Sequence, residues 1–321
     1  MRSLGIDLLR ALGAQHPRSV RELAAACGAR VAEVERCLAR LEGTGLVTIA
    51  NGAARLVAPF DYLDADSISA ALGARAAGLR VEVVDACPST SSALLADAAS
   101  ASGPRLLLAE EQVAGRGRRG RRWLSCVGTA LTMSLLRRFR RAPRELAALP
   151  LAAGVATVRA LRGLGAADAA LKWPNDLLVR GAKIGGILIE TRSQGGEVIT
   201  VSGVGINCRP TPGLEARLGR RIASLEEFVE HLPSRNGVAA RVAGELLAAL
   251  DEFDAHGLAA FKAEWEAMHA YAGHRLRVRL ADGRVLAGIA DGLADDGGLR
   301  LRTRAGVRAV RSGRVVSARA A

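Results

Sequence analysis

Apolar positions in the first sixty residues recur at helical spacing. Leu4, Leu8, Leu9 and Leu12 share one helix face. Ser19, with Glu22 three residues on, has the form of a capping box and opens a second helix through Cys27; Gly28 then permits a tight turn. A third helix is predicted from about Arg30 to Glu42, with Val31, Val34, Leu38 and Leu41 turned inward. The segment Gly45–Val57, centred on Asn51-Gly52, reads as a hairpin. This order predicts a winged helix-turn-helix over residues 1–62, with the third helix offered to a major groove. Its candidate DNA-binding residues are Arg30, Arg36 and Arg40. Glu33 and Glu35 on the same helix are unfavourable near phosphates, although Glu can accept from cytosine N4.

Residues 63–271 alternate between strand-like and helical stretches. The strand-like runs are Leu79–Val84, Arg105–Ala109, Ala130–Leu136, Leu177–Val179, Ile184–Glu190 and Val198–Gly205. Ser91–Ala101, Arg144–Leu161, Val238–Phe253 and Leu258–Ala270 carry helical patterns. Several strands follow one another through short turns after residue 170, so a mixed sheet with flanking helices is expected rather than a doubly wound parallel one. Residues 272–321 switch to period two: His274–Leu280, then Asp282-Gly283 turning into Val285–Ile289, then Leu299–Arg304, Val307–Val310 and Val315–Val316. Strands this short and close together suggest a small SH3-like β-barrel. The expected class is therefore α+β multidomain: winged helix-turn-helix, central mixed-sheet α/β domain, C-terminal SH3-like β-barrel.

Composition narrows the class. Half of the 321 residues are hydrophobic, which excludes disorder. No run of about 18 apolar residues is present, and the longest candidate, Leu146–Val158, is too short to span a bilayer. Asp7 and Arg10 interrupt the N-terminal apolar stretch, unlike a signal peptide. Five widely spaced cysteines (Cys27, Cys37, Cys87, Cys126, Cys208) form no CxxC pair, which points to a reducing cytoplasm, with neither a disulfide framework nor a zinc site. The net charge is +13, and only three of the 45 basic residues are lysines. Such a balance suits polyanionic partners, or arises from an arginine-rich background spread over every surface. The charge is uneven: net +3 over 1–60, +3 over 61–272 and +7 over 273–321.

The sharpest local departure is the stretch 115–144, with ten arginines and no acid. It opens as Gly115-Arg116-Gly117-Arg118-Arg119-Gly120-Arg121-Arg122-Trp123, in which glycines free the backbone to aim N–H groups and arginines supply bidentate donors for phosphate or carboxylate. Taken alone, the string also fits a solvated basic loop or a nucleic-acid patch. It matches GxGxxG, but a strand-like segment follows and no acid stands about twenty residues on, so the dinucleotide reading fails. The second cluster is Lys172-Trp173-Pro174-Asn175-Asp176 with Lys183-Ile184-Gly185-Gly186; it keeps lysine twice in a chain that otherwise uses arginine. Lysine is a compact point charge suited to a single oxygen. Asn175 and Asp176 also suit simple turn capping. Ser202–Asn207, a strand rich in glycine, and Pro88-Ser89-Thr90-Ser91-Ser92, a hydroxyl row opening a helix, complete the set; N-capping alone would account for the last.

In this order, GRGRRGRRW at 115–123, KWPND at 172–176, KIGGILIE at 183–190 and GVGIN at 203–207 resemble the biotin–protein ligases. The likeness extends to the bacterial bifunctional form, which also represses the biotin operon, and to the biotin/lipoate ligase kind of catalytic domain. The resemblance implies formation of biotinoyl-5′-AMP from biotin and ATP with Mg²⁺, then transfer to a lysine of the biotin carboxyl carrier protein of acetyl-CoA carboxylase. It implies that Ser89, Thr90, Ser91 and Gln112 hold the ureido ring with backbone help at Arg116. Arg116 and Arg118 would bind carboxylate and phosphate, and Lys183 the mixed anhydride. Lys172, Asn175 and Asp176 would sit on the phosphate and metal side, with Trp123 shaping the adenylate pocket. Gly115, Gly117, Gly186, Gly205 and Asn207 would line the ligands. Arg118, Lys183, Lys172 and Asp176 are the implied catalytic set. Two departures stand out: Ser91 replaces a frequent Asn, and residues 209–225 lack the aromatic that covers adenine in some members. A cytoplasmic enzyme is implied, dimerising on operator DNA when adenylate is bound. The alternatives are a ligase whose N-terminal domain does not regulate, and a lipoate ligase.

Overall fold

A computed structural model describes residues 1–13, 16–99, 101–194, 196–219 and 221–320. Ser100, inside the predicted helix Ser91–Ala101, and Arg220, inside the segment 209–225, fall outside the described residues.

The N-terminal unit holds α1 (Leu4–Ala11), α2 (Val20–Cys27) and α3 (Val31–Glu42), with a three-stranded sheet of order β1-β3-β2. Those strands are β1 (Arg18–Ser19), β2 (Val47–Ala50) and β3 (Ala53–Leu56). The capping box forms: Ser19 Oγ accepts from the Glu22 N–H while the Glu22 carboxylate accepts from the Ser19 N–H. Asn51 and Gly52 take φ of 51° and 73°, the left-handed pair a tight hairpin requires. The third helix forms where expected, with Arg30 as its extended N-cap, held through backbone and side chain by Glu33. One expectation for α3 is corrected. Val31 is 42% exposed, since the first turn overhangs the core and Val34, Cys37, Leu38 and Leu41 form the buried stripe.

The central sheet has seven strands in the order β4-β5-β6-β10-β9-β8-β7. They are β4 (Arg80–Cys87), β5 (Arg105–Gln112), β6 (Ala130–Phe139), β7 (Ala169–Lys172), β8 (Asp176–Val179), β9 (Ala182–Gln194) and β10 (Glu197–Asn207). The sheet is mixed: β4 and β5 are parallel, and the remaining neighbours are antiparallel. Helices α4 (Ala65–Leu72), α6 (Leu149–Gly163), α8 (Arg235–His256) and α9 (Ala259–Ala267) share its main core; α5 (Thr90–Ala96) packs with a smaller cluster of Leu94, Leu107, Leu136 and Val201. With the preceding 3₁₀ turn, α6 forms a 19-residue segment, Glu145–Gly163, longer than the predicted candidate and apolar enough to cross a membrane. It is a core helix, because 72% of its apolar window is buried inside the fold. β7 and α4 had no expectation, and α5 stops at Ala96, short of Ala101.

The C-terminal sheet is antiparallel with strand order β14-β13-β12-β11-β15. Its strands are β11 (Arg275–Leu280), β12 (Val285–Leu293), β13 (Leu299–Thr303), β14 (Gly306–Val310) and β15 (Gly313–Arg319). Leu276, Val278, Leu293, Leu299 and Leu301 are buried in the same core as the central helices.

The three parts are joined by specific contacts. Val127 inserts into the N-terminal core, and Gly128 (φ 72°) is forced by Phe60, whose ring would stand 2.5 Å from an added Cβ. Arg10 pairs with Asp85 through two hydrogen bonds of 2.7 and 2.8 Å. The connecting segment 60–64 is gripped by Arg235, whose guanidinium meets Glu110 at 2.7 Å with both side chains almost fully buried.

Candidate active site

One cavity of about 360 Å³ opens on the central sheet between the arginine/glycine loop and the ends of β9 and β10. The loop is pinched at its base: Trp123 N–H donates to the Gly115 carbonyl at 2.9 Å, and Gly117 N–H to the Arg121 carbonyl at 2.7 Å. A Cβ on Gly115 would stand 2.5 Å from the Trp123 carbonyl oxygen, so this glycine serves the pinch. Arg119, at the crest, has φ 57°, a conformation few non-glycine residues adopt.

One end of the cavity is lined with hydroxyl groups. Ser89 caps α5 and, with Thr90, Ser91 and Ser134, is buried. Thr90 donates from its backbone N–H to Gln112 Oε1 at 2.8 Å, and Ser134 Oγ lies 2.7 Å from Thr90 Oγ1 and 3.0 Å from Ser91 Oγ. This end can match a small polar ring that both donates and accepts hydrogen bonds.

The other end is cationic. Lys183 Nζ is paired with Asp176, and Lys172 Nζ lies 3.9 Å from the same carboxylate. Arg118 donates to Asn175 Oδ1 at 3.4 Å, and Asn175 is fixed by β9, donating to the Ile187 carbonyl at 2.6 Å. Burial pushes the Arg118 guanidinium below its usual range, assisted by Arg119 and Arg121 and opposed by Asp176. An anion arriving here relieves that penalty.

Between the two ends lies Trp123. Its indole rests on Gly205, where a Cβ would approach the ring within 2.6 Å, and its Nε1 is buried with no partner among the described residues. Leu214 and Leu218 of α7 (Pro212–Leu218), together with Ile222, form an aliphatic wall where the sequence offers no aromatic. Arg116 reaches out of the loop to Ser92 Oγ (3.1 Å) and Glu190 (2.9 Å).

Of the residues singled out from sequence, Ser89, Thr90, Ser91, Gln112, Arg116, Gly117, Arg118, Trp123, Asn175, Asp176, Lys183, Gly186, Gly205 and Asn207 all line this cavity. Gly115 sits beneath the loop, and Lys172 acts behind Asp176 rather than on the wall. Arg30, Arg36 and Arg40 are exposed, far along the chain on the N-terminal unit.

Comparison with known proteins agrees with this geometry. The Biotin/lipoate A/B protein ligase family profile matches residues 84–207, which include most of the cavity lining, and the Biotin protein ligase C terminal domain profile matches residues 273–316. A profile designated HVO_A0114 matches residues 1–65. The Bifunctional ligase/repressor BirA of Escherichia coli (strain K12) is 32% identical over 260 residues, 81% of this chain and 79% of that protein. The chain belongs to the biotin protein ligases. The Biotin--[acetyl-CoA-carboxylase] ligase of Mycobacterium tuberculosis (strain ATCC 25618 / H37Rv) is 34% identical over 254 residues, covering 77% of this chain and 92% of that one. Among solved structures, the biotin protein ligase from Aquifex aeolicus in complex with biotin and ATP superposes with a TM-score of 0.63 at 29% identity, covering 75% of this chain and 99% of that chain.

Within this biotin protein ligase, sequence reasoning passed over Ser134 and gave Glu190 no role. Ser134 follows Thr132 by two positions in β6, and Glu190 opens the polar end of β9, so neither stands out locally from its strand.

Proposed function

We propose that the chain activates biotin with ATP and passes it to a lysine of the biotin carboxyl carrier domain of acetyl-CoA carboxylase. The observation that carries this reading is the bipolar cavity: buried hydroxyls with Gln112 at one end, desolvated Arg118 with Lys183 and Asp176 at the other. In the first step a biotin carboxylate oxygen attacks the α-phosphorus of ATP and pyrophosphate leaves. Both reactants are anionic, so Arg118 and Lys183 lower their repulsion and stabilise charge developing at phosphorus. In the second step the carrier amine attacks the acyl carbon, AMP leaves with the bridging oxygen, and the amine loses a proton. No side-chain nucleophile is required; positioning and electrostatics carry the reaction.

Ser89, Thr90, Ser91 and Gln112 would take the ureido group. Trp123, Gly205, Asn207 and the Leu214/Leu218/Ile222 wall would enclose the adenylate. Mg²⁺ would neutralise phosphate charge; Asp176, the one acid on the cavity wall among the described residues, suits an ion held mainly by phosphate and water. Biotin-dependent exchange of labelled pyrophosphate into ATP is the test, and absence of exchange by folded protein rejects the reading. Lipoate competing as well as biotin would favour the lipoate alternative.

The domain limits we propose are 1–62, a winged helix-turn-helix; 63–271, the catalytic domain; and 272–321, an SH3-like barrel. The bifunctional ligase/repressor names of the BirA relatives and the exposed Arg36 and Arg40 on α3 support a second role as a biotin-responsive repressor. In this reading an adenylate-promoted homodimer matches two operator half-sites. Binding to the promoter of its own biotin genes, with and without biotin and ATP, tests it; no sequence preference at moderate salt leaves a ligase alone. Five free cysteines, four of them buried, suit a cytoplasmic setting.

A further inference from the structure

The exposed side of the C-terminal sheet carries arginines in register. Arg275, Arg277 and Arg279 alternate outward along β11 between buried Leu276 and Val278. Arg319 and Arg314 stand directly opposite Arg275 and Arg279 on β15, and Arg302 lies on the same side two strands away, opposite Ile289. Like charges facing each other across strands are destabilising. A local remedy was available, because residues 273–321 contain four acids, but all four are engaged elsewhere. Asp282 pairs with Arg284, Asp291 with Arg300, Asp295 with Lys262, and Asp296 with Arg311. Among the described residues none of the six arginine side chains has a hydrogen-bond or ion-pair partner. Valines are interleaved: Val285 opposite Arg279 and Val307 opposite Arg302 are 40% and 50% exposed.

The position of this face suggests its use. Ser312, immediately before β15, accepts a 2.8 Å hydrogen bond from Arg119 at the crest of the loop over the cavity. The Arg279/Arg314 end of the sheet therefore adjoins the cavity mouth, and exposed Arg119, Arg121 and Arg122 continue the positive field to it. We propose that this arginine face is the docking surface for an acidic face of the carrier domain, steering its acceptor lysine to the mouth. Outward arginines repeat about every 7 Å along a strand, matching carboxylates displayed on a facing protein surface, and the interleaved valines give such a partner apolar area to cover. This inference rests on the ligase reading.

The test uses the full chain with Arg275→Thr, Arg277→Thr and Arg279→Thr combined, which keeps strand propensity and relieves repulsion. Pyrophosphate exchange needs no carrier and is expected to stay unchanged. In transfer to the carrier domain, KM for the carrier is expected to rise about tenfold with kcat unaltered, and the salt sensitivity of kcat/KM to shrink. Unchanged KM overturns the proposal, as does unchanged KM with a fall in affinity for duplex DNA, which would make the face a nucleic-acid surface. If the variant loses exchange, the unmodified enzyme decides: poly-L-glutamate should inhibit transfer but not exchange, and failure to inhibit transfer refutes the docking face. Absence of exchange in the unmodified enzyme instead refutes the ligase reading, and this inference with it.

Discussion

Arg235→Met should be the most destabilising single change near the junction of the first two units. The guanidinium donates to Glu110 Oε2 at 2.7 Å, with side-chain exposures of 3% and 2%. It also donates to the Asp61 carbonyl through Nε at 3.1 Å and lies 5.1 Å from the Phe60 ring centroid. Glu110 is held from its other oxygen, which accepts from the Leu63 N–H at 2.7 Å. Removing the arginine leaves a carboxylate buried against a single donor, and breaking one side of such a pair costs about 3–5 kcal/mol. With an unfolding entropy near 2 cal/mol/K per residue, a chain of this length loses stability at roughly 0.7 kcal/mol per kelvin, so Tm should fall by about 4–7 °C. Calorimetry with a parallel urea titration measures the loss. The diagnostic partner is Glu110→Gln combined with Arg235→Met, which removes both charges yet leaves Leu63 an acceptor. If the penalty is an uncompensated charge, the double variant regains at least half of it. A loss below about 1 kcal/mol in the single variant, or a double variant as unstable as the single, would refute the reasoning.

Gly205→Ala places a methyl group against the Trp123 ring, so the indole must leave its seat; pyrophosphate exchange should show raised KM for biotin and ATP, and unaltered constants would contradict the packing account. Arg118→Ala should release adenylate faster, because the loop then loses its tie to Asn175 and water reaches the anhydride; equal retention in rapid-dilution trapping would count against it. His269 is buried and stacked on Trp265, and burial, aided by His274, pushes its pKa down to about 4 from 6.5. The unfolded chain therefore binds the extra proton first, so this contribution to stability is full above pH 6.5 and is lost as pH falls towards 4, about 3 kcal/mol in all. His269→Phe should flatten that slope in urea titrations between those pH values, and an unchanged slope would exclude His269 as its source.

What could be read from the sequence was whatever repeats or clusters locally. The capping box at Ser19, the left-handed Asn51-Gly52 turn and the period-two C-terminal strands each place their signal within a few neighbouring residues. The cavity walls were legible for the same reason: loop 115–123 and KWPND concentrate charge and glycine beyond an arginine-rich background. Four-residue β7 is too short to show a period, and α4, rich in Ser and Ala, lacks a strong stripe. The ties between units were hidden by distance along the chain. Ser3 to Glu111, Trp173 to Gly297 and Arg119 to Ser312 join residues 108, 124 and 193 positions apart. Each uses a residue type too common to stand out.

Those ties bear on how a ligand site can be linked to the N-terminal unit. Three consecutive residues at the end of β5 face three different tasks. Glu110 grips Arg235 and the Leu63 N–H of the connecting segment. Glu111 accepts a 2.6 Å hydrogen bond from Ser3, the N-cap of α1. Gln112 accepts from Thr90 in the cavity. Side chains alternate across a strand, so Glu110 and Glu111 point to opposite sides of β5. The N-terminal unit is thus fastened from both sides of the strand end that builds the hydroxyl pole. A tilt or slide of that strand end cannot alter Gln112 without also shifting the anchors at Ser3 and Leu63. Coupling between sites requires ligand contacts that differ between two arrangements of a shared element, and the end of β5 is the element on which such contacts would act.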